Sequence, residues 1–289
     1  MLFRNMQSRA LTCSRLRPPY IRALNWEDAS PSLNVALNNL KTFSWVGVTE
    51  LFDESLCLFE FQVTGVLPPK CVCAHQGKTD ARRVHSSGGS SFENLRGSEF
   101  KAKVDKITRV DVQLYSAALV RVVRELRALE KISGEQILCP RKLTRLKETT
   151  KYIPGLWEID LKDENEHLKK RTIKRNSRND GEPALVPTAK KVDVRSSPLR
   201  RLNGNMFLVH IAKCSGGSAG VQIAAAVKSW TMSRRPFGRD SFDLNEECYG
   251  YSKSTRKGVN HYLTMLRSPR AQVVSAFFML KNFGGMKLA

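Results

Sequence analysis

The stretch Asn205–Gly220, NMFLVHIAKCSGGSAG, constrains the fold more than any other part of the chain. An apolar run ends in a basic, glycine-rich turn and continues into a helix-compatible Ala/Val pattern. Strand, glycine loop and helix in that order hold an anion, because backbone N–H groups and the positive end of a helix face it. A second segment of this kind, Arg267–Ser275 (RSPRAQVVS), follows about fifty residues later. Two such segments point to a ligand with two separated anionic groups. His261–Leu266 reads as the strand before the second loop, and Pro269–Leu280 as the helix after it, with proline near the helix start. Alternating strands and helices predict a parallel α/β sheet.

The remainder divides by pattern. Val35–Leu40 reads as a short helix, Phe43–Val48 as a buried strand or turn, and Leu51–Phe61 as part of a helix beginning near Thr49. Residues 76–100 are rich in Gly, Ser and polar residues, and Ser86–Ser91 reads as a flexible loop or insert. Asp105–Ile132 is the clearest helix. Ile107, Val110, Leu114, Ala118, Val122, Leu126 and Leu129 recur at three- and four-residue steps, and Gly134 is a natural stop. Residues 140–204 are charged, lack sustained periodicity, and read as a linker.

The net charge of +21 favours anionic partners: nucleic acid, an anionic membrane surface, or phosphorylated or sulfated ligands. Much of it lies between Lys169 and Arg201, which reads either as a solvated linker or as a nucleic-acid or nuclear-import patch. No aromatic-rich sheet motif, zinc finger or heptad accompanies that run. No apolar stretch approaches the roughly eighteen residues that a spanning helix needs. Seven cysteines are present. Cys71 and Cys73, with His75 and His85 nearby, invite a zinc reading, but the spacing departs from a zinc knuckle and no second pair follows. Ordinary thiols, or a disulfide in an oxidising compartment, are the alternatives. The first 26 residues hold five arginines and no lysine or acid, as in an organellar transit segment or a disordered basic end.

The first loop is not a nucleoside-triphosphate P-loop, because Lys213 precedes the glycines. It resembles the loop with which sulfotransferases hold the 5′-phosphosulfate of 3′-phosphoadenosine 5′-phosphosulfate. The family's common form is His-Ile-Pro-Lys-Thr-Gly-Gly-Thr-Ser; this chain reads HIAKCSGGS over 210–218. Lys213 and Ser218 match without a gap, whereas Ala212, Cys214, Ser215 and Gly217 depart. Arg267 and Ser275 resemble the family's 3′-phosphate motif, Arg-Asp-Pro-x-x-Arg-x-x-Ser, with Gln272 in place of the inner arginine. Residues 36–56, containing Val46, Gly47, Glu50, Phe52, Ser55 and Leu56, are similar to the closing segment of such domains, commonly Val-Gly-x-x-Glu-x-Phe-x-x-Ser-Leu. Phe52, Leu56 and Leu58 read as packing.

The resemblance implies a partial, parallel-sheet, P-loop-like sulfotransferase fold with a helical N-terminal segment and disordered linkers. Residues 1–33 form a disordered or targeting segment, 34–139 a unit's tail, 140–203 a basic linker, and 204–289 a unit's head with both donor motifs. It implies donor contacts from Lys213, Cys214, Ser215, Gly216, Gly217, Ser218, Arg267 and Ser275, with Lys213 also catalytic. No metal is implied. The acceptor is a hydroxyl, most often on carbohydrate, and the location Golgi. The family's base is Glu or His. His261 reads as structural, and Glu246 and Glu247 match no motif, so the base stays unassigned. Tail before head predicts a tandem-repeat protein cut across a unit boundary, whose incomplete domain would be inactive. A permuted, self-complementing domain is the other reading, though short of chain.

Overall fold

The computed structural model describes residues 5–12, 31–73, 98–153, 156–157, 199, 202–209, 211, 223, 242–245 and 258–282. Among the described residues, four strands form one sheet: β1 (Trp45–Val48), β2 (Met206–Val209), β3 (Phe242–Asn245) and β4 (His261–Leu266). Their order across the sheet is β1-β4-β2-β3, with every neighbouring pair parallel. All residues of β1 and β2 are buried. That continuous apolar reading belongs to a parallel sheet covered on both faces, and the expected α/β class holds.

The described helices are α1 (Met6–Thr12), α2 (Leu33–Thr42), α3 (Phe52–Thr64), α4 (Ser98–Ser133), α5 (Pro140–Thr150) and α6 (Pro269–Asn282). Helix α4 is the long amphipathic element expected from periodicity, extended at its start. Its buried stripe includes Leu114, Ala118, Val122, Leu126 and Leu129. Gly134 ends it at φ +72°, donating its N–H to Glu130 O; a residue without Cβ adopts that left-handed conformation at no steric cost. At the other end of α4, Val104 packs on Val273 and Val274 of α6. No described helix is long and apolar enough to cross a membrane.

Strand β1 turns into α3 through Ser55, whose Oγ accepts from Val48 N–H at 3.1 Å while its carbonyl accepts from the Trp45 indole at 3.2 Å. Trp45 lies edge-on to Phe59 and fills the space above Gly47. A Cβ on Gly47 would come within 2.6 Å of the Trp45 ring and 2.9 Å of Met265. Glycine is required there for close packing rather than for backbone conformation.

Three features depart from the sequence-based expectations. Residues 6–12, expected within a disordered or targeting segment, form α1, and Met6–Leu11 are all buried. Residues 140–150, assigned to the basic linker, form α5, with Pro140 at its start and Leu146 and Thr150 buried. The third concerns the two segments expected to belong to separate units, which share one sheet and one core. β1 lies in register beside β4, Trp45 against Leu263 and Val48 against Leu266. Leu51, Phe59, Leu126, Phe207 and Leu266 all belong to the same buried cluster.

Candidate anion site at the carboxyl edge of the sheet

Strands β2 and β4 are parallel neighbours, with Val209 opposite Thr264. The chain therefore leaves both at the same edge of the sheet, where open α/β sheets bind ligands. Of the two candidate loops, the first, with Lys213, Cys214, Ser215, Gly216, Gly217 and Ser218, lies outside the described residues. Ile211 and Ile223, which flank it in sequence, are both buried in the main core.

The second loop is described in full. Arg267 and Ser268 join β4 to α6, and Gln272 N–H bonds to Ser268 O as the first turn of α6 closes. The Arg267 side chain is half-buried, and so is Ser275. Ser275 lies seven residues beyond Ser268, two helical turns along the same face, roughly 10 Å away. A single phosphate meets both only if the Arg267 side chain runs along the helix. Gln272, which stands at the position of the family's inner arginine, is buried and offers no charge.

Other segments fix the loop's backbone. The Gln7 side chain donates Nε2–H to Arg267 O at 2.7 Å and accepts from Arg267 N–H at 3.3 Å. Ser268 N–H donates to Glu50 Oε1 at 2.9 Å. Strand register explains that contact: Val48 faces Leu266, so the residues two beyond each strand end meet. The other oxygen of Glu50 accepts from Tyr115 OH at 2.8 Å and Thr49 Oγ1 at 3.1 Å. The Tyr152 hydroxyl and Ser268 Oγ are 2.9 Å apart. Burial, more than any other influence, pushes the Tyr152 phenol up to about 12, so it remains protonated at neutral pH. Arg270 forms a two-pronged pair with Asp105, at 2.7 and 2.8 Å, and its guanidinium lies 3.8 Å over the Tyr152 ring.

This arrangement has an electrostatic consequence. The Glu50 carboxylate already accepts from the backbone at the start of α6, so an internal anion takes one donor that an external anion would otherwise use. Arg270 is committed to Asp105. Of the residues that the sequence singles out, the described part of the site holds Arg267 at the loop and Ser275 two turns along α6.

Sequence reasoning singled out Arg267 and Ser275 but missed Gln7, Glu50, Asp105 and Tyr152. A signal for Glu50 was present: an acid two residues after an all-apolar strand, inside the pattern read as packing. Gln7 and Tyr152 carried none, because each meets the loop from a segment read as unstructured.

His261 sits at the opposite end of β4, six residues and roughly 20 Å from Arg267. Its ring nitrogens lie 2.9 Å from Ser44 Oγ and 2.8 Å from Asn203 O, so the structural reading of this histidine holds. Glu246 and Glu247 lie outside the described residues, as does the basic stretch Lys169–Arg175 with Arg200 and Arg201. Cys71 and Cys73 are not joint metal ligands: Cys71 is bonded to Cys57, and Cys73 to Cys139. His75 and His85 lie outside the described residues. Among the described residues, no group of three or more His, Cys, Asp or Glu is placed to hold a metal ion. Comparison of the chain with protein-family models, curated proteins and solved structures finds no match.

Proposed function

We propose that this chain binds 3′-phosphoadenosine 5′-phosphosulfate at the carboxyl edge of its sheet and transfers the sulfuryl group to a hydroxyl acceptor, a carbohydrate. The observation that carries the reading is the adjacency of β2 and β4. Both candidate anion loops follow parallel neighbouring strands at one edge, as two anionic groups on one nucleotide require. One sheet built from both segments also supports a donor site within a single chain. The resemblance of the two loops supplies the identity of the ligand.

In this reading Arg267 pairs with the 3′-phosphate through its planar fork, and Ser275 adds a hydroxyl from α6. Lys213 and the backbone N–H groups of Cys214–Ser218 hold the 5′-phosphosulfate. In sulfuryl transfer the acceptor oxygen bonds to sulfur as the bond from sulfur to the bridging phosphate oxygen breaks. The leaving 5′-phosphate gains charge, which Lys213 stabilises in the transition state. The acceptor's proton passes to a base that remains unassigned. Two disulfides among the described residues support folding in an oxidising compartment, in keeping with a Golgi location.

Titration calorimetry of the full chain with adenosine 3′,5′-bisphosphate tests the donor site. Binding is expected, and Arg267→Ala or Lys213→Ala should each weaken it roughly 10- to 100-fold, as loss of a charge-assisted hydrogen bond implies. Absence of binding by the folded wild type would overturn the reading.

A further inference from the structure

The N-terminal helix reaches the candidate anion loop through one side chain. Gln7 is fully buried, and its carboxamide meets both backbone polar groups of Arg267. A primary amide matches a peptide unit, since it presents one donor and one acceptor in the same plane. Two hydrogen bonds to one residue fix both the position and the rotation of the Arg267 backbone. They thereby set where the base of its side chain starts.

Gln7 is itself held from two sides. Asn5, at φ +48°, inserts into the hydrogen-bond ladder of α4. Its N–H donates to Ile107 O at 2.8 Å, and its Oδ1 accepts from Val110 N–H at 3.1 Å and Asp111 N–H at 3.4 Å. Asp111 then accepts from Gln7 N–H at 3.1 Å, Ser8 N–H at 2.7 Å and Ser8 Oγ–H at 2.6 Å. These contacts anchor the Gln7 backbone to a 36-residue helix, so the clamp is rigid at its root. Buried polar groups held by hydrogen bonds in this way preorganise a site.

We infer that Gln7 is a positioning residue for anion recognition: it acts through Arg267, orienting that guanidinium toward the 3′-phosphate of the nucleotide. The inference rests on the donor-site reading above and adds to it a role for a segment that the sequence marks as a basic leader or loose end. It also makes α1 part of the binding apparatus, contributed from a point 260 residues away from the arginine it orients.

A double-mutant cycle on the full chain tests it, with adenosine 3′,5′-bisphosphate as the probe in calorimetry. Gln7→Met keeps the bulk and removes both hydrogen bonds. It should weaken binding about tenfold, weaken it equally in a Lys213→Ala background, and cost nothing further in an Arg267→Ala background. A Gln7 that only supports the fold would weaken binding by the same factor in both backgrounds, and that result would overturn the inference. So would unchanged affinity in Gln7→Met. If Gln7→Met shows no cooperative melt, Gln7→Asn takes its place, because it keeps a neutral amide that is one methylene too short to hold both polar groups of Arg267. Its loss must likewise vanish with Arg267→Ala, and a loss that persists refutes the role. Wild type that binds no nucleotide removes the donor-site reading and this inference together. Wild type that binds, with Gln7 variants uncoupled from Arg267, removes the inference alone.

Discussion

Asp111 is fully buried and accepts three hydrogen bonds from α1, with Arg9 nearby, yet burial outweighs them and raises its carboxyl from 3.8 to about 6. An acid raised in this way keeps its proton in the native state at pH values where the unfolded chain has already released it. The stability it contributes is therefore full below pH 3.8 and falls as pH rises through about 6. A rise of this size corresponds to about 3 kcal/mol. Measured by denaturant unfolding against Asp111→Asn, which has no charge to bury, wild type should lose ground by up to that amount between about pH 4 and about pH 7. A difference between the two proteins that stays flat with pH would contradict this account. Asp111 could be read as a polar residue on a helix that was otherwise well understood. Its burial could not, because the element that covers it is seven residues long and contains Gln7, Ser8 and Arg9.

Elements were legible in proportion to their periodicity. Helix α4 repeats its apolar stripe over several turns, so its existence, its buried face and its glycine stop follow from the chain alone. Helix α5 places five charged residues among eleven, and only Leu143, Leu146 and Thr150 contact or enter the core; a pattern that sparse reads as linker. Disulfides then lock what packing positions. Cys57–Cys71 closes 14 residues between α3 and the turn after it, and Cys73–Cys139 closes 66, joining that turn to the start of α5. By chain entropy the two contribute about 3 and about 4 kcal/mol. Thermal melts with and without reductant should show a large drop in stability on reduction, with Cys139→Ala accounting for more of it than Cys57→Ala. Equal melts would show that the two bridges do not form in the folded protein.

At the scale of the molecule, the two segments cannot be separated. β4 lies between β1, from residues 31–73, and β2, from residues 202–209. Removing either neighbour exposes an edge of buried, apolar strand. Residues 1–157 and 199–289 produced as separate chains should each lack a cooperative melt and should recover one when mixed or co-expressed. Two fragments that melt cooperatively alone would restore the picture of independent units. Local sequence determined β1, β2 and β4, the long helix, the β4–α6 junction and the candidate phosphate residues Arg267 and Ser275, because each depends on neighbours within a few turns; the short strand β3 went unread. Only the tertiary structure decided that β1 lies against β4, that Glu50 takes the start of α6 from 218 residues away, and that Gln7 holds Arg267. The physical reason is that parallel pairing and buried polar contacts are chosen by shape and hydrogen-bond satisfaction between distant segments, which leave no periodicity in the chain for a reader to find.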